Sequence, residues 1–423
     1  MTERRGLAWA HISQFAAGGA CLLIAMSGAT ANAAPAPTHW VGSWAASQQV
    51  PEDQNALAPQ DLEDATLRQV VHLSIGGPKV RVRVSNAFGT TPLHLTSVHV
   101  ARALAPGTAA IDAASDHPLT FSGSTDVTLP AGAEYWSDPV VMALPAQANL
   151  TVSLHIDTAP ARQTSHPGSR ATSYLVHGDQ VSAPDLPDAR KIEHWFQLSG
   201  VDVAAGSGAS SVVTLGDSIT DGQGATTNGN DRWPDVLAHR LQVSAATRGV
   251  GVLNAGIGGN RMLLDGLGPN AMARLDRDVL VQSGVRSLIL LEGVNDLGTL
   301  TREAPANAQA HDALVEHILA AYAQIVAQAR SHGIRAIGAT ILPFGGSAYY
   351  HPDAANEADR RRVNAWIRAP GHFDAVIDFD AMARDPAQPD RLRTGYDSGD
   401  HLHPSAVGYR AMADAIPLSL FAR

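Results

Sequence analysis

The sequence predicts an α/β fold, a parallel sheet covered by helices on both faces, preceded by a β-sandwich-like domain. Two observations carry this. From about residue 38 to 203, short alternating segments are separated by Gly, Pro, Asp and Ser, with no long amphipathic helix among them. After residue 210, apolar runs of strand length alternate with helical patterns. The stretch between, Ala204-Ala205-Gly206-Ser207-Gly208-Ala209-Ser210, reads as a linker. The expected organisation is a signal peptide over 1–33, a β-sandwich-like accessory domain over 38–205 and an α/β domain over 210–423.

Each element has its own signal. At the N-terminus, Arg4 and Arg5 precede an apolar stretch over 15–26, and Ala31-Asn32-Ala33 offers small residues for cleavage. Gly18 and Gly19 interrupt that stretch, which is short for a membrane span. The expectation is a secreted or periplasmic protein whose mature chain has no stable span. Cys21, the only cysteine, lies inside this segment without the preceding leucine of a lipoprotein signal, so the mature chain is expected to hold no disulfide or thiol chemistry. Net charge is −10, and removing 1–33 takes away two Arg and one Glu, giving −11. That balance lacks the basic footprint of a nucleic-acid partner. Arg360-Arg361-Arg362 reads as one solvated helix face.

In the first half, 79–84 alternates strictly as Lys-Val-Arg-Val-Arg-Val, and 93–100 and 150–156 behave likewise, as half-buried strands do. In the second half, 211–215, 250–253, 287–291, 336–341 and 375–379 are buried-strand candidates. The longest helical pattern covers 307–331, with Leu314, Ile318, Leu319, Tyr322, Ile325, Val326 and Ala329 on one face and Gly333 as its stop. A last helix is expected over about 405–416. In folds of this class, ligands sit at the carboxyl ends of the strands.

Four short segments stand at such places: Gly216-Asp217-Ser218 after the first of these strands, Asn254 to Asn260 after the second, Gly293-Val294-Asn295-Asp296 after the third, and Asp400-His401-Leu402-His403-Pro404 before the last helix. A serine hydroxyl becomes a nucleophile only when a base removes its proton and a partner orients that base. His403 can be the base, and Asp400, three residues earlier, can fix its tautomer. A tetrahedral oxyanion needs preorganised donors, which the Asn295 amide and the backbone N–H groups of Ser218 and a glycine can supply. Such a base implies activity that falls as pH drops through the imidazole titration, about 6.5 for a free histidine.

In this order the four segments resemble the four sequence blocks of the SGNH (GDSL) hydrolases, a family of serine esterases and lipases. The resemblance runs from about residue 212 to the C-terminus. Ile219 replaces the leucine of the family's name, a common variant. It implies a flavodoxin-like three-layer αβα fold with Ser218, His403 and Asp400 as catalytic residues. It also implies Gly259, Asn295 and Ser218 as the oxyanion hole, no cofactor and no metal. The implied substrate is a small-molecule or polysaccharide ester, with short acyl, acetyl and lipid esters all allowed.

Other readings remain at this stage. An alcohol or sugar can replace water, making an acyltransferase of the same fold. A carbohydrate-binding or adhesion protein with lost activity is the rival from another class, with Trp40, Trp44, Trp136 and Trp195 as sugar platforms or, more simply, as core. Asp217 and Asp221 are expected to cap the following helix. His401 has the wrong spacing for the base, and a metal held by Asp400, His401 and His403 lacks a second ligand cluster. The polar loop 162–170 is a candidate for reaching the ester pocket. No G-x-S-x-G, G-x-G-x-x-G or P-loop spacing occurs.

Overall fold

The computed structural model describes residues 38–422, so the expected signal peptide over 1–33, with Cys21, lies outside the described residues. The first half is β-rich and antiparallel. One sheet contains Trp40–Ala45, Leu198–Ala204, Gly77–Ser85 and Glu134–Trp136, with Val140–Leu144 also paired to Gly77–Ser85. A second contains Ala65–His72, Asn149–Ile156, Leu93–Arg102 and Ser173–His177 among its strands. Alternating valines and leucines from both, such as Val80, Val82 and Val84 facing Leu67, Leu95 and Leu154, form one shared core. That is the sandwich the alternation predicts.

The four tryptophans are occupied by protein contacts. Trp44 and Trp195 are buried and meet edge to face at 4.8 Å. Trp40 and Trp136 clamp the Arg81 guanidinium, whose carbon lies 4.7 Å and 4.2 Å from their ring centres. Packing, not a sugar platform, explains them.

The second half contains a five-stranded parallel sheet, in the order Val250–Gly256, Ser210–Gly216, Val285–Leu291, Arg335–Ala339 and Ala375–Ile377. Helices Trp233–Val243 and Ala406–Asp414 pack as one pair, Ala308–Ser331 and Ala354–Arg368 as another. The helix starts follow local chemistry: Asn307 and Ser405 accept from the N–H groups of Ala310 and Gly408. The last strand is shorter than 375–379 because Asp378 caps a short helix, Phe379–Ala383.

One surface reading needs correction. Arg360 is buried and paired with Glu357 and Asp380 at 2.7 Å each, while Arg361 and Arg362 are exposed. Consecutive helical residues point about 100° apart, so three in a row cannot share one solvated face.

The strand Trp40–Ala45 joins the two halves. Gly42 N–H donates to Ser283 O at 2.9 Å, and Val252 N–H donates to Ser74 Oγ at 2.9 Å. Gly42 packs so closely on Leu253 that a Cβ there would sit 2.7 Å from its side chain.

Candidate active site

The strand Ser210–Gly216 lies between Val250–Gly256 and Val285–Leu291, so the chain crosses over in opposite directions on its two sides. A crevice opens at the carboxyl end of such a switch point. The turn Ser218–Asp221 starts there, with Asp217 as its cap through a 2.8 Å bond from Ile219 N–H. At Gly256 a Cβ would sit 2.2 Å from Asp221 N, so glycine lets the turn lie against the neighbouring strand.

Ser218 Oγ lies 2.8 Å from His403 Nε2, and His403 Nδ1 lies 2.6 Å from Asp400 Oδ2. The other Asp400 oxygen accepts from the backbone N–H groups of His403 and Leu402 at 2.8 Å and 3.0 Å. Partial burial pushes this carboxyl up, but those bonds from His403 and Leu402 outweigh it and hold it well below the usual carboxylate range. The ring thus faces an ionised acceptor, which puts a hydrogen on Nδ1 and leaves Nε2 to take the serine proton. His401 is exposed and turns to Asp397 at 2.6 Å, away from Ser218.

Ser218, Gly259, Asn295, Asp400 and His403 line one cleft of about 760 Å³. Gly259 has φ of +66°, the left-handed conformation that glycine adopts freely. Ser218 opens its helical turn, where backbone N–H groups have no intrahelical partner. The Asn295 amide is held at both ends: Nδ2 donates to Asn260 O at 2.6 Å, and Oδ1 accepts from the Tyr350 hydroxyl at 2.5 Å. With its oxygen fixed on Tyr350, the second N–H of Nδ2 is free for the cleft.

Residues 214–411 match the GDSL-like lipase/acylhydrolase family. This half of the chain is a GDSL-like acylhydrolase domain. The protein is therefore a carboxylic ester hydrolase. Similar solved structures each cover about half of this chain. An acetyl xylan esterase is 20% identical over 48% of this chain and 96% of its own, with a TM-score of 0.37. A GDSL-like lipase from Bacteroides thetaiotaomicron is 19% identical over 50% and 87%, at 0.36. An α/β hydrolase from the metagenome of Lake Arreo is 20% identical over 50% and 94%, at 0.36. No curated protein matches the chain.

Several residues that shape this acylhydrolase site carry no motif. Tyr350 is one. Arg274 is another: fully buried, it donates to Gly216 O at 2.9 Å, Ala255 O at 2.6 Å, Asn260 Oδ1 at 2.8 Å and Ser47 Oγ at 3.0 Å. It ties the nucleophile strand to the oxyanion loop and to the β-rich half, and Asp278 balances its charge at 3.0 Å. Asp296 accepts from Met262 and Leu263 N–H at 2.7 Å and 3.1 Å, pinning the Gly259 loop to the Asn295 helix.

Asp221 departs from expectation. It caps nothing; its carboxylate meets His166 Nε2 at 2.9 Å, while His166 Nδ1 donates to Ser47 O at 2.7 Å. Both side chains are buried. Gly168 lies against the same carboxylate, where a Cβ would sit 1.8 Å from Oδ2. The loop 162–170 therefore packs on the nucleophile turn from behind. It is not part of the cleft lining, although Arg170 bonds Gln223, which is. Among the described residues, no three His, Cys, Asp or Glu side chains gather as a metal-holding group.

Three acids lie buried around the turn. Burial pushes Asp217 up to about 7 and Asp296 up to about 6, and burial together with the Asp217 charge raises Glu292 well above the carboxylate range. Asp titrates near about 4 when unfolded, so the folded chain holds extra protons above that pH. Their stabilising contribution is full below about pH 4 and is lost as pH rises through 6 to 7. Asp400 has the opposite sign, its contribution being present above about pH 4 and lost in strong acid. The melting temperature should therefore fall from about pH 5 to about pH 8. Asp217→Asn, which keeps an oxygen for Ile219 N–H, should flatten that fall. A melting temperature that rises over this interval contradicts the assignment.

Proposed function

We propose that this ester hydrolase is an exported serine esterase that releases short acyl groups, acetyl among them, from small or polysaccharide esters. One observation carries the assignment, the hydrogen-bonded chain from Ser218 Oγ through His403 to Asp400, opening on a cleft lined by Asn295 and Gly259. Ser218 attacks the ester carbonyl as His403 Nε2 takes its proton, and the Asp400 carboxylate stabilises the imidazolium. The oxyanion is held by Asn295 Nδ2 and the backbone N–H groups of Ser218 and Gly259. His403 then protonates the leaving alcohol, and the acyl-enzyme is hydrolysed by water activated on the same ring.

Short acyl groups fit the walls. Leu267, Leu402, Ala348, Tyr349 and Tyr350 supply the apolar and aromatic lining; the rest is glycine, amide, hydroxyl, the two guanidinium groups of Arg261 and Arg302, and the Asp400–His403 pair. Each buried CH₂ contributes about 0.8 kcal/mol only where an apolar wall receives it. Export is read from 1–33, and N-terminal sequencing of the released protein should start at Ala34.

The test is a series of 4-nitrophenyl esters from acetate to decanoate, run beside acetyl release from acetylated xylan and pectin. The expected result is kcat/KM highest among the shortest chains and falling beyond butyrate, with free acid as product even when an alcohol competes. A kcat/KM that climbs steadily to decanoate overturns the short-acyl reading, and ester formed on the added alcohol identifies a transferase.

A further inference from the structure

Apart from Asp400 and His403, which engage each other, the charged residues lining the cleft are Arg261 and Arg302; no lysine, glutamate or further aspartate joins them. This runs against a chain with 40 acidic and 30 basic residues. Both arginines grow from the elements that carry the proposed oxyanion donors. Arg261 stands two residues after Gly259. Arg302 caps the C-terminal end of helix Val294–Thr301, two turns and about 10 Å along the axis from Asn295. The Asp296 carboxylate, bonded to Met262 and Leu263 N–H, locks these two elements together.

Each guanidinium is anchored through part of its donor set. Arg261 bonds the backbone carbonyl of Asp265 and, among the described residues, forms no ion pair. The Asp265 carboxylate is itself taken by Asn270, through its N–H at 2.9 Å and its amide at 2.8 Å. Arg302 uses Nε on Glu303 at 2.9 Å and Nη1 on the Tyr349 hydroxyl at 2.9 Å, with its carbon 5.3 Å from the Tyr349 ring centre. Held so at the cleft wall, each keeps further N–H donors, the groups with which arginine binds carboxylate and phosphate oxygens.

We propose that the cleft selects esters bearing a second, anionic group, a carboxylate or a phosphate, on the oxyanion side of the scissile bond, and that Arg261 and Arg302 receive it. The inference rests on the assignment of Ser218 as nucleophile. A matched pair of probes tests it: 4-acetoxybenzoate and its uncharged methyl ester, with a hemisuccinate aryl ester and the neutral butyrate as the second pair. The two pairs place the carboxylate on the alcohol or the acyl side. 4-Acetoxyphenyl phosphate against 4-acetoxyanisole reads the phosphate case.

The quantity read is the ratio of kcat/KM for the anionic over the neutral partner. In the wild-type protein at least one ratio should exceed one and shrink as salt is added. Arg261→Gln and Arg302→Gln should each lower that ratio by about tenfold, the size of a lost charge-assisted bond. A ratio unchanged in both variants and in the double variant overturns the proposal. Hydrolysis of all the esters retained in Ser218→Ala would instead sink the nucleophile assignment on which it stands.

Discussion

Ser218→Ala should lower kcat/KM for a short aryl acetate by about 10⁴-fold or more, leaving only what the oxyanion donors and substrate binding supply. The substitution removes one oxygen from a buried turn and leaves the Asp217 cap and the Asp221–His166 pair in place. The melting temperature should stay near the wild-type value, which separates lost chemistry from lost fold. His403→Ala should be about as damaging, because the hydroxyl then has no base. Asp400→Asn should cost less, about 10²-fold, since this carboxylate side chain is 49% exposed and water can serve part of its role. Activity in Ser218→Ala within tenfold of wild type is the contrary outcome.

The second large effect is expected at the oxyanion amide. Asn295→Ala should cost about 10²–10³ in kcat with little change in KM, because the donor acts when negative charge develops. Tyr350→Phe should show a smaller loss of the same kind. The phenol donates to Asn295 Oδ1 and so prevents the amide from turning its oxygen toward the oxyanion. The Phe ring keeps the contact with Gly298, where a Cβ would lie 2.3 Å from the Tyr350 ring. If Tyr350 acts through Asn295, the double variant should be no slower than Asn295→Ala alone. Losses that simply multiply would mean that Tyr350 works by another route.

What the sequence revealed was what local spacing encodes. The two-residue period of Gly77–Ser85 and the long apolar stripe of Ala308–Ser331 are properties of neighbouring residues, and the elements stand where those periods put them. Ser218, Gly259, Asn295, Asp400 and His403 meet in one cleft because each falls just beyond a strand or before a helix, and the parallel sheet gathers strand ends at one edge. The residues that went unread act across distance. His166 is bonded to Asp221 from the other half of the chain, Arg274 to Ser47, and Tyr350 to Asn295 from a loop without motif. Each is an ordinary surface-type or aromatic residue whose partner is fixed only by packing. Arg360 belongs with them, because one of its two partners, Asp380, comes from another helix, whereas Glu357 lies one turn back on its own.

The central claim, that Ser218 carries the acyl group, is tested most directly by trapping. After reaction with a fluorophosphonate aryl probe, intact-mass measurement should give one adduct per chain, with peptide mapping placing it on Ser218 and hydrolysis lost in proportion. Label on any other residue, or full activity after stoichiometric labelling elsewhere, would contradict the account.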